Sequence, residues 1–275
     1  MKASGHIRKM KTVLEDVVQY HLPLDDQRIS LNQHLGQKIS MTHNGNIHCI
    51  NCGRKTNKSF SQGYCFPCMR SLARCDSCII KPELCHYHEG TCREPQWGEE
   101  NCMQTHTVYL ANTSGIKVGI TRGSQVPTRW MDQGAVAALP IFKVSNRLLS
   151  GKVEVLLKQN MSDKTNWRTM LKGNITPVDL LKFRDQEMNA WMEQLTPVIK
   201  QAGKQSVLAC EEQQVTTINY PVNRYPEKVT SFNFDKTPQV SGLLNGIKGQ
   251  YLILDGGVIN MRKFAGYEIE LEVKP

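Results

Sequence analysis

Apolar and polar residues alternate along two stretches near the start of the chain. The segments VVQYHLPL and GQKISMTHNGNIHCI carry this two-residue period, with turn-forming residues between them. A period of two places successive side chains on opposite faces of a strand. Residues 1–48 are therefore predicted to be rich in strands.

The middle of the chain combines strand and helix patterns. The segment HTVYLANTSGIKVGIT has two apolar runs around an Asn-Thr-Ser-Gly turn and predicts a hairpin. The following segment SGKVEVLLKQNM changes to a helical pattern, which Ser150 or the loop before it would open. We expect residues 103–172 to form one small α/β unit.

A longer helical pattern runs from Thr176 to Gly203. Thr176 can cap this helix, Pro177 suits its first position, and Gly203 is the candidate stop. Pro197 is expected to kink or split it. One face is shared by five apolar residues: Leu181, Met188, Met192, Leu195 and Ile199. Residues 173–206 are accordingly predicted to be a helical linker.

Strand patterns return in residues 207–275. The segment QYLILDGGVINMRKFAGYEIELEV places apolar strands on both sides of an Asp255-Gly256-Gly257 turn. We expect a small β-barrel or sandwich here, and the first 48 residues can add strands to it. The predicted fold class is α+β.

Residues 49–102 follow none of these patterns, because they hold nine of the ten cysteines and few apolar residues. Such a segment needs a metal to fold. Its first part has two Cys-x-x-Cys pairs, Cys49 with Cys52 and Cys65 with Cys68. Disulfides are typical of small secreted chains, and a redox motif uses a single pair. Two such turns complete a tetrahedron around zinc, so we predict a zinc-ribbon-like or treble-clef site.

The later cysteines form a looser group. The predicted second ligand set is Cys75, Cys78, Cys92 and Cys102. Cys85, His86 and His88 are rival ligands in the same segment. Zinc and a cysteine-ligated iron–sulfur cluster both fit this spacing.

The charge of the chain favours a polyanionic partner. The formal net charge is +9, and four thiolates on one zinc would lower it by about 2. A basic loop lies inside the first cysteine group, where Arg54, Lys55 and Lys58 suit phosphate contact. The alternative for this loop is ordinary solvation.

The sequence shows neither a signal-peptide pattern nor a membrane-spanning pattern. The N-terminus has no apolar run of signal-peptide length, and no segment approaches the roughly 18 apolar residues of a membrane span. We therefore expect a soluble, cytoplasmic protein without a membrane partner.

Residues 107–167 resemble the GIY-YIG nuclease superfamily through TVYLANTSGIKVGIT, TRW and SGKVEVLL. That family has a tyrosine on a first strand, a glycine ending a second strand, an arginine on a helix and a glutamate on a later helix. Tyr109, Gly119, Arg129 and Glu154 match these positions. In the pattern "KVG", Lys117 stands where many members have tyrosine.

The resemblance implies metal-dependent hydrolysis of a phosphodiester. Glu154 would hold one Mg²⁺, Arg129 would neutralise charge in the transition state, and Tyr109, assisted by Lys117, would act as the base. Arg122 is a rival for Arg129 and a candidate nucleic-acid contact. Several members also use a histidine, whereas the nearest one here, His106, precedes the predicted first strand.

The whole chain also resembles an uncharacterised bacterial family known only as a domain of unknown function. The similar segments are NIHCINCGRKTNKSF, GTCREPQWGEENC and GIKGQYLILDGGVINMRKFAGY. This resemblance implies a shared architecture and no particular activity.

The predicted function is a metal-dependent nuclease that acts on DNA or RNA and is stabilised by structural zinc. The first alternative is a zinc-containing nucleic-acid-binding protein that does no chemistry. In that case Tyr109 would be a packed strand residue, Arg129 a surface residue, and Glu154 the polar edge of its helix. A second alternative is a structural or adaptor role for the zinc modules.

Overall fold

The computed structural model describes residues 1–161, 166–211 and 213–274. Five strands occupy the N-terminal region: β1 (Lys2–His6), β2 (Lys11–Val13), β3 (Gln19–Leu24), β4 (Gln27–Ser30) and β5 (Lys38–Ile47). Strands β2, β3 and β4 form a small antiparallel sheet of their own. The strand-rich N-terminal region predicted from the alternating pattern is confirmed.

The cysteine-dense segment contains no strand and two short helices. The helices are α1 (Phe66–Ser71) and α2 (Pro95–Asn101). Between them the chain makes single 3₁₀ turns at Ala73–Cys75, Ser77–Ile79, Pro82–Leu84 and Tyr87–Glu89. The shortage of apolar residues explains this irregular path, because there is little side-chain surface for a regular element to bury.

A second antiparallel sheet forms the middle of the protein. Its strands are β6 (His106–Asn112), β7 (Ile116–Arg122), β8 (Ala137–Val144), β9 (Val207–Ala209) and β10 (Thr216–Thr217). The hairpin of β6 and β7 is confirmed, with Tyr109 opposite Gly119. Strand β6 is central, pairs with both β7 and β8, and is buried along its whole length.

Four helices accompany this sheet: α3 (Thr128–Asp132), α4 (Arg147–Leu157), α5 (Trp167–Lys172) and α6 (Leu180–Ala202). Asn146 caps α4 by accepting a hydrogen bond from the Leu149 amide. One face of the sheet packs on α4 and α6 through apolar residues that include Val108, Val153 and Trp191. Residues 162–165, inside the predicted 103–172 unit, lie outside the described residues.

Helix α6 begins later than predicted. Four residues of its predicted apolar face pack in the core: Leu181, Met188, Leu195 and Ile199. Asp179 caps the helix by accepting from the Lys182 amide, because a carboxylate satisfies an orphan amide better than the threonine three residues earlier. Pro197 lies within the helix, which continues to Gly203 as predicted. The buried apolar residues are Leu180, Trp191 and Leu195, whereas Met192 is exposed. The large indole of Trp191 sets this face by packing against Phe142 and Phe183.

The C-terminal strands are β11 (Gln239–Lys248), β12 (Tyr251–Leu254), β13 (Gly257–Asn260) and β14 (Tyr267–Lys274). The turn at Asp255 to Gly257 joins β12 to β13 as predicted. Strand β14 pairs with both β1 and β5, so N-terminal and C-terminal strands share one sheet. Alternate residues of β14 are buried, because Ile269, Leu271 and Val273 face the core.

This six-stranded sheet has the order β1-β14-β5-β11-β12-β13. Within the described ranges β1 and β13 do not pair with each other, so the sheet is open. Of the two predicted alternatives, a barrel or a sandwich, the closed barrel is therefore not formed. Strands β9 and β10, from the region assigned to that barrel, pair with β8 in the middle sheet instead. The result is a mixed α/β fold with several sheets.

A lipid bilayer could not be crossed by any helix in the described part of the chain, because none is both long and apolar enough.

Candidate functional site

The first four cysteines form a compact cluster at the end of β5. The sulfur atoms of Cys49, Cys52, Cys65 and Cys68 all lie within 4.8 Å of one another. Gly53, at φ 69°, allows the chain to turn back after the first pair, and its amide donates to the Cys49 carbonyl. The second pair flanks the start of α1. The predicted four-cysteine cluster is therefore confirmed, and its donors suit zinc.

The protonation of this cluster favours a bound cation. Burial raises the pKa of Cys49, but hydrogen bonds from the amides of Cys52, Cys65 and Asn51 outweigh it and lower the pKa to about 6. The pKa of Cys68 is raised to about 12 by burial and by the thiols around it. One thiolate therefore forms readily, whereas several negative sulfurs in this space need a positive ion between them.

The later cysteines divide between two places. Cys78, Cys85, Cys92 and Cys102 line one small cavity, together with Asp76 and His86. Cys75, which the sequence assigned to this set, is not among the described residues that line it. Its surroundings instead include the hydroxyl of Ser61 and the charges of Arg74 and Cys49. His88 is largely exposed beside Glu89.

A much larger cavity, of about 650 Å³, opens between the middle sheet and the cysteine-dense segment. Strand β7 forms one wall with residues 117–122, and α3 and α4 contribute Arg129 and Glu154. Residues 79–83 of the cysteine-dense segment form the opposite side. Three predicted catalytic residues, Lys117, Arg129 and Glu154, thus line the same cavity.

Tyr109 lies behind this wall, fully buried on β6. Its hydroxyl donates to the Gln133 side-chain oxygen at 3.1 Å, and its ring packs edge-on against Trp130. The phenol passes over Gly119, where even a methyl group would lie 2.7 Å from the hydroxyl oxygen. The tyrosine is therefore held in one position by its neighbours on β7 and at α3.

Burial raises the pKa of Tyr109 to about 12, although the charge of Arg129 lowers it. Glu154 raises it further. The phenol is therefore neutral at pH 7. The role of Tyr109 as a base assisted by Lys117 stays a prediction, and burial, which disfavours the phenolate, is the largest influence on the pKa of Tyr109.

Among the described residues, positive charge dominates the lining of the large cavity. Eight cationic side chains line it: Lys9, Lys81, Lys117, Arg122, Arg129, Arg147, Lys158 and Arg262. The three carboxylates are Glu83, Asp132 and Glu154. Asp132 forms an ion pair with Lys9 and accepts a hydrogen bond from Gln250. This excess of cations gives the cavity a positive electrostatic potential.

Several of these cations were not predicted. Lys9, Arg147 and Arg262 come from three different regions and reach the cavity only through the fold. Burial, and then the charge of Arg129, lower the pKa of Arg262. Burial is thus the main cause of this lowering, and an anionic ligand would relieve the smaller contribution from Arg129.

The comparison with protein families gives one match. A family model described as "Protein of unknown function (DUF2797)" covers residues 36–269. The chain belongs to the DUF2797 family. Searches of curated proteins and of solved structures gave no match to the chain.

The matched DUF2797 region contains all the cysteines discussed above and nearly all of the large cavity. Of the residues named in that cavity, Lys9 alone precedes residue 36. Because the description of the DUF2797 family carries no activity, the chemistry of these two sites has to guide any functional assignment.

His106 of the DUF2797 protein is placed differently from the expectation. It begins β6 rather than preceding it, and it lines the large cavity. Its Nδ1 lies 2.7 Å from the Gln104 carbonyl oxygen and so donates to it. Burial lowers its pKa to about 4, so it adds no charge to the cavity at neutral pH.

The residues predicted to contact nucleic acid lie in two different places. Arg54, Lys55 and Lys58 lie on the exposed loop of the first cysteine cluster, outside the described lining of the cavity. Arg122 lines the cavity and donates to the side-chain oxygen of Asn101. Burial, followed by the charge of Arg147, lowers the pKa of Arg122.

Proposed function

We propose that the large cavity binds the phosphodiester backbone of a nucleic acid and hydrolyses one bond with the help of a divalent cation. The observation that carries this proposal is the convergence of Arg129, Glu154 and Lys117 on one cavity with Tyr109 directly behind it. A guanidinium, a carboxylate and an ammonium in one place are groups that can assist phosphodiester hydrolysis, and the phenol behind them can position the guanidinium.

The charge of the cavity supports a polyanionic substrate. Cationic side chains outnumber carboxylates in its lining, and Arg122, Arg129 and Arg147 can each give two parallel hydrogen bonds to a phosphate. A cavity of about 650 Å³ has room for a nucleotide-sized group, whereas a free inorganic anion would leave most of the cations unused.

The resemblance to GIY-YIG nucleases supports the type of chemistry. Tyr109 lies on the first strand of the hairpin, Gly119 on the second, Arg129 on the next helix and Glu154 on the helix after β8. This order of elements is the one that the resemblance implies. Lys117 takes the place of the second tyrosine, and its side chain is buried at the wall of the cavity.

Each residue has a role that follows from its surroundings. Arg129 lies where it can neutralise the charge that develops on the phosphate in the transition state. Tyr109 would act as a neutral hydroxyl that positions Gln133 and Arg129, because its pKa of about 12 leaves it protonated. Glu154 supplies the hard oxygen that suits Mg²⁺, and that ion would polarise the phosphate when bound.

The four-cysteine cluster supports this site from a distance. We infer that Cys49, Cys52, Cys65 and Cys68 hold a structural zinc, which replaces the missing apolar core of residues 49–72. The cluster stands between β5 of the six-stranded sheet and the turns that lead to residues 79–83 of the cavity.

The test is a cleavage assay with Mg²⁺ on branched, single-stranded and double-stranded DNA and RNA. Glu154→Gln keeps the size of the side chain and removes its charge, and we expect it to slow cleavage at least about 100-fold. Glu193→Gln, on the exposed side of α6, is the matched control and should cleave like wild type. Cleavage that survives Glu154→Gln would contradict the proposal.

A non-catalytic nucleic-acid-binding protein is the second candidate. The burial and raised pKa of Tyr109 favour it, since a protonated phenol does not act as a base. This candidate predicts salt-dependent binding without cleavage in any metal, because phosphate contacts release counterions whether or not a bond is cut.

A further inference from the structure

Four cysteines meet in the cysteine-dense segment although their spacing gives no metal-site signature. Cys78, Cys85, Cys92 and Cys102 are separated by seven, seven and ten positions. They come from the 3₁₀ turn Ser77–Ile79, the end of the turn Pro82–Leu84, the loop after Gly90 and the end of α2. All four nevertheless line one small cavity.

The size of this cavity suits one ion. Its volume is about 10 Å³, which is close to the space that a single water-sized sphere needs. An iron–sulfur cluster is a group of several iron and sulfide atoms and needs far more room. Cysteine thiolates that line a space of this size are suitable donors for a structural zinc ion.

The folding of the surrounding chain supplies independent support. No residue between 73 and 107 belongs to any hydrophobic cluster in the described structure. This segment consists of single 3₁₀ turns, loops and the seven-residue helix α2. Fixing turns of this kind in one conformation is unfavourable because the chain loses conformational entropy. In such segments the free energy of metal–thiolate binding usually offsets this loss.

The ligand atoms of Asp76, Cys78 and His86 lie within 4.8 Å of one another at this cavity, but Asp76 and His86 already have other partners. Asp76 accepts from the Cys78 amide and forms an ion pair with Arg93, with Nε 2.6 Å from the carboxylate oxygen. The Nδ1 atom of His86 lies 2.7 Å from the Thr91 hydroxyl oxygen. Asp76 thus serves as the cap of its turn, which leaves the sulfur atoms as the soft donors for a metal.

Three of these cysteines are connected to one side of the large cavity, Cys78 and Cys85 through the chain and Cys102 through Arg147. Residues 79–83 line that cavity and lie between Cys78 and Cys85. Arg147 of α4 donates to the carbonyl oxygens of Cys78 and Ile79, at 3.2 and 2.7 Å, and its own amide donates to the Cys102 carbonyl. Gly151 brings α4 against the backbone of Pro82 and Glu83.

We propose that Cys78, Cys85, Cys92 and Cys102 bind a second zinc ion, and that this ion fixes the wall of the large cavity formed by residues 79–83. The site includes Cys85 and leaves Cys75 out. The two zinc sites together account for eight cysteines, four at the start of the segment and four at its end.

The test counts zinc per chain by elemental mass spectrometry after purification without chelators. We expect two ions for wild type, one for Cys85→Ser and two for Cys75→Ser, which is the matched control in the same segment. One ion in wild type would overturn the proposal. Loss of an ion from Cys75→Ser with two ions retained by Cys85→Ser would overturn it too.

A second measurement uses wild-type protein alone and so does not depend on the folding of a variant. Cobalt replaces zinc in thiolate sites and gives an intense sulfur-to-cobalt charge-transfer absorption. Two four-thiolate sites should give twice the absorbance per chain of one site, with two cobalt ions bound. Absorbance equal to a single site would contradict the second site.

A separate measurement tests whether this ion fixes the wall of the large cavity. Hydrogen exchange of the amides of Ile79, Ile80, Lys81 and Glu83 should rise in Cys85→Ser and stay at the wild-type level in Cys75→Ser. Unchanged exchange in Cys85→Ser, with one zinc lost, would contradict the role in the wall. Neither readout requires nuclease activity, so the zinc site and the proposed function can fail separately.

Discussion

Gly119 lies directly beneath the phenol of Tyr109, with its hydrogen where any other residue would carry a Cβ atom. A Cβ atom there would be 2.7 Å from both the hydroxyl oxygen and the adjacent ring carbon. The two residues face each other across the β6–β7 hairpin. The glycine therefore lets the phenol reach Gln133 and the region of Arg129 and Glu154 behind the cavity.

Gly119→Ala should displace Tyr109 and destabilise the protein. Adding a methyl group to a fully packed site costs about 1–3 kcal/mol. We expect a lower free energy of unfolding in urea and a weaker hydrogen bond from Tyr109 to Gln133. Gly123→Ala is the control, because its new methyl group would meet its nearest neighbour at 3.8 Å. Equal stabilities of the two variants would contradict the close contact.

The parts of this fold that local sequence determines were predictable. The Cys-x-x-Cys pairs around Cys49 and Cys65 have a spacing that closes a tetrahedron, and the hairpin of β6 and β7 has alternating strands around a turn. Tyr109, Arg129 and Glu154 could be named because a resemblance supplied their order along the chain. Each of these sequence patterns spans only a few tens of residues of the chain.

The remaining parts depend on contacts between distant segments. Lys9 and Arg262 join one cavity from opposite ends of the chain, and no local pattern marks either of them. Cys85 replaces Cys75 beside Cys78 because of how the 3₁₀ turns fold, which the spacing does not encode. On α6 only Met192 of the predicted apolar face is exposed, and the buried side also includes the large indole of Trp191, which the apolar stripe did not contain.

Lys248 gives a prediction about stability and pH. Its ammonium is fully buried between the rings of Tyr220 and Tyr225, at 5.3 and 5.4 Å, and has no hydrogen-bond partner in the described structure. Burial lowers its pKa from 10.5 to about 8. The unfolded state therefore binds more protons between pH 8 and 10.5, and this residue makes the protein more stable as the pH rises through that range.

Lys248→Met should accordingly stabilise the protein at pH 7, by about 1–3 kcal/mol. The gain should shrink as the pH approaches 10.5, because the wild-type lysine then loses its proton in both states. Urea unfolding of both proteins at several pH values measures the difference. A variant that is less stable than wild type at pH 7 would contradict this prediction, because it would show that surrounding groups stabilise the buried ammonium.

The first cysteine cluster predicts sensitivity to chelators. A strong zinc chelator should lower the thermal midpoint of wild type, because metal binding replaces a missing apolar core around Cys49 and Cys68. Cys52 is exposed, so Cys52→Ser disturbs little packing but removes one ligand. This variant should lose one zinc ion and start from a lower midpoint. Cys75→Ser should respond to the chelator as wild type does.

Arg129 predicts a change in the salt dependence of binding. Loss of one phosphate contact reduces the slope of log affinity against log salt by about 0.9 for duplex DNA. We expect this reduction for Arg129→Ala with a duplex oligonucleotide, measured by fluorescence anisotropy without metal. Lys236→Ala, on an exposed loop away from the cavity, is the control and should keep the wild-type slope.

The most direct measurement is the position of the phosphate itself. A crystal structure of Glu154→Gln with Mg²⁺ and an oligonucleotide that carries one phosphorothioate would locate the labelled phosphate by its anomalous sulfur signal. The account predicts that this phosphate lies inside the large cavity, within hydrogen-bond distance of the Arg129 guanidinium. Phosphates found only along the loop of Arg54, Lys55 and Lys58, with the cavity free of nucleic acid, would contradict it.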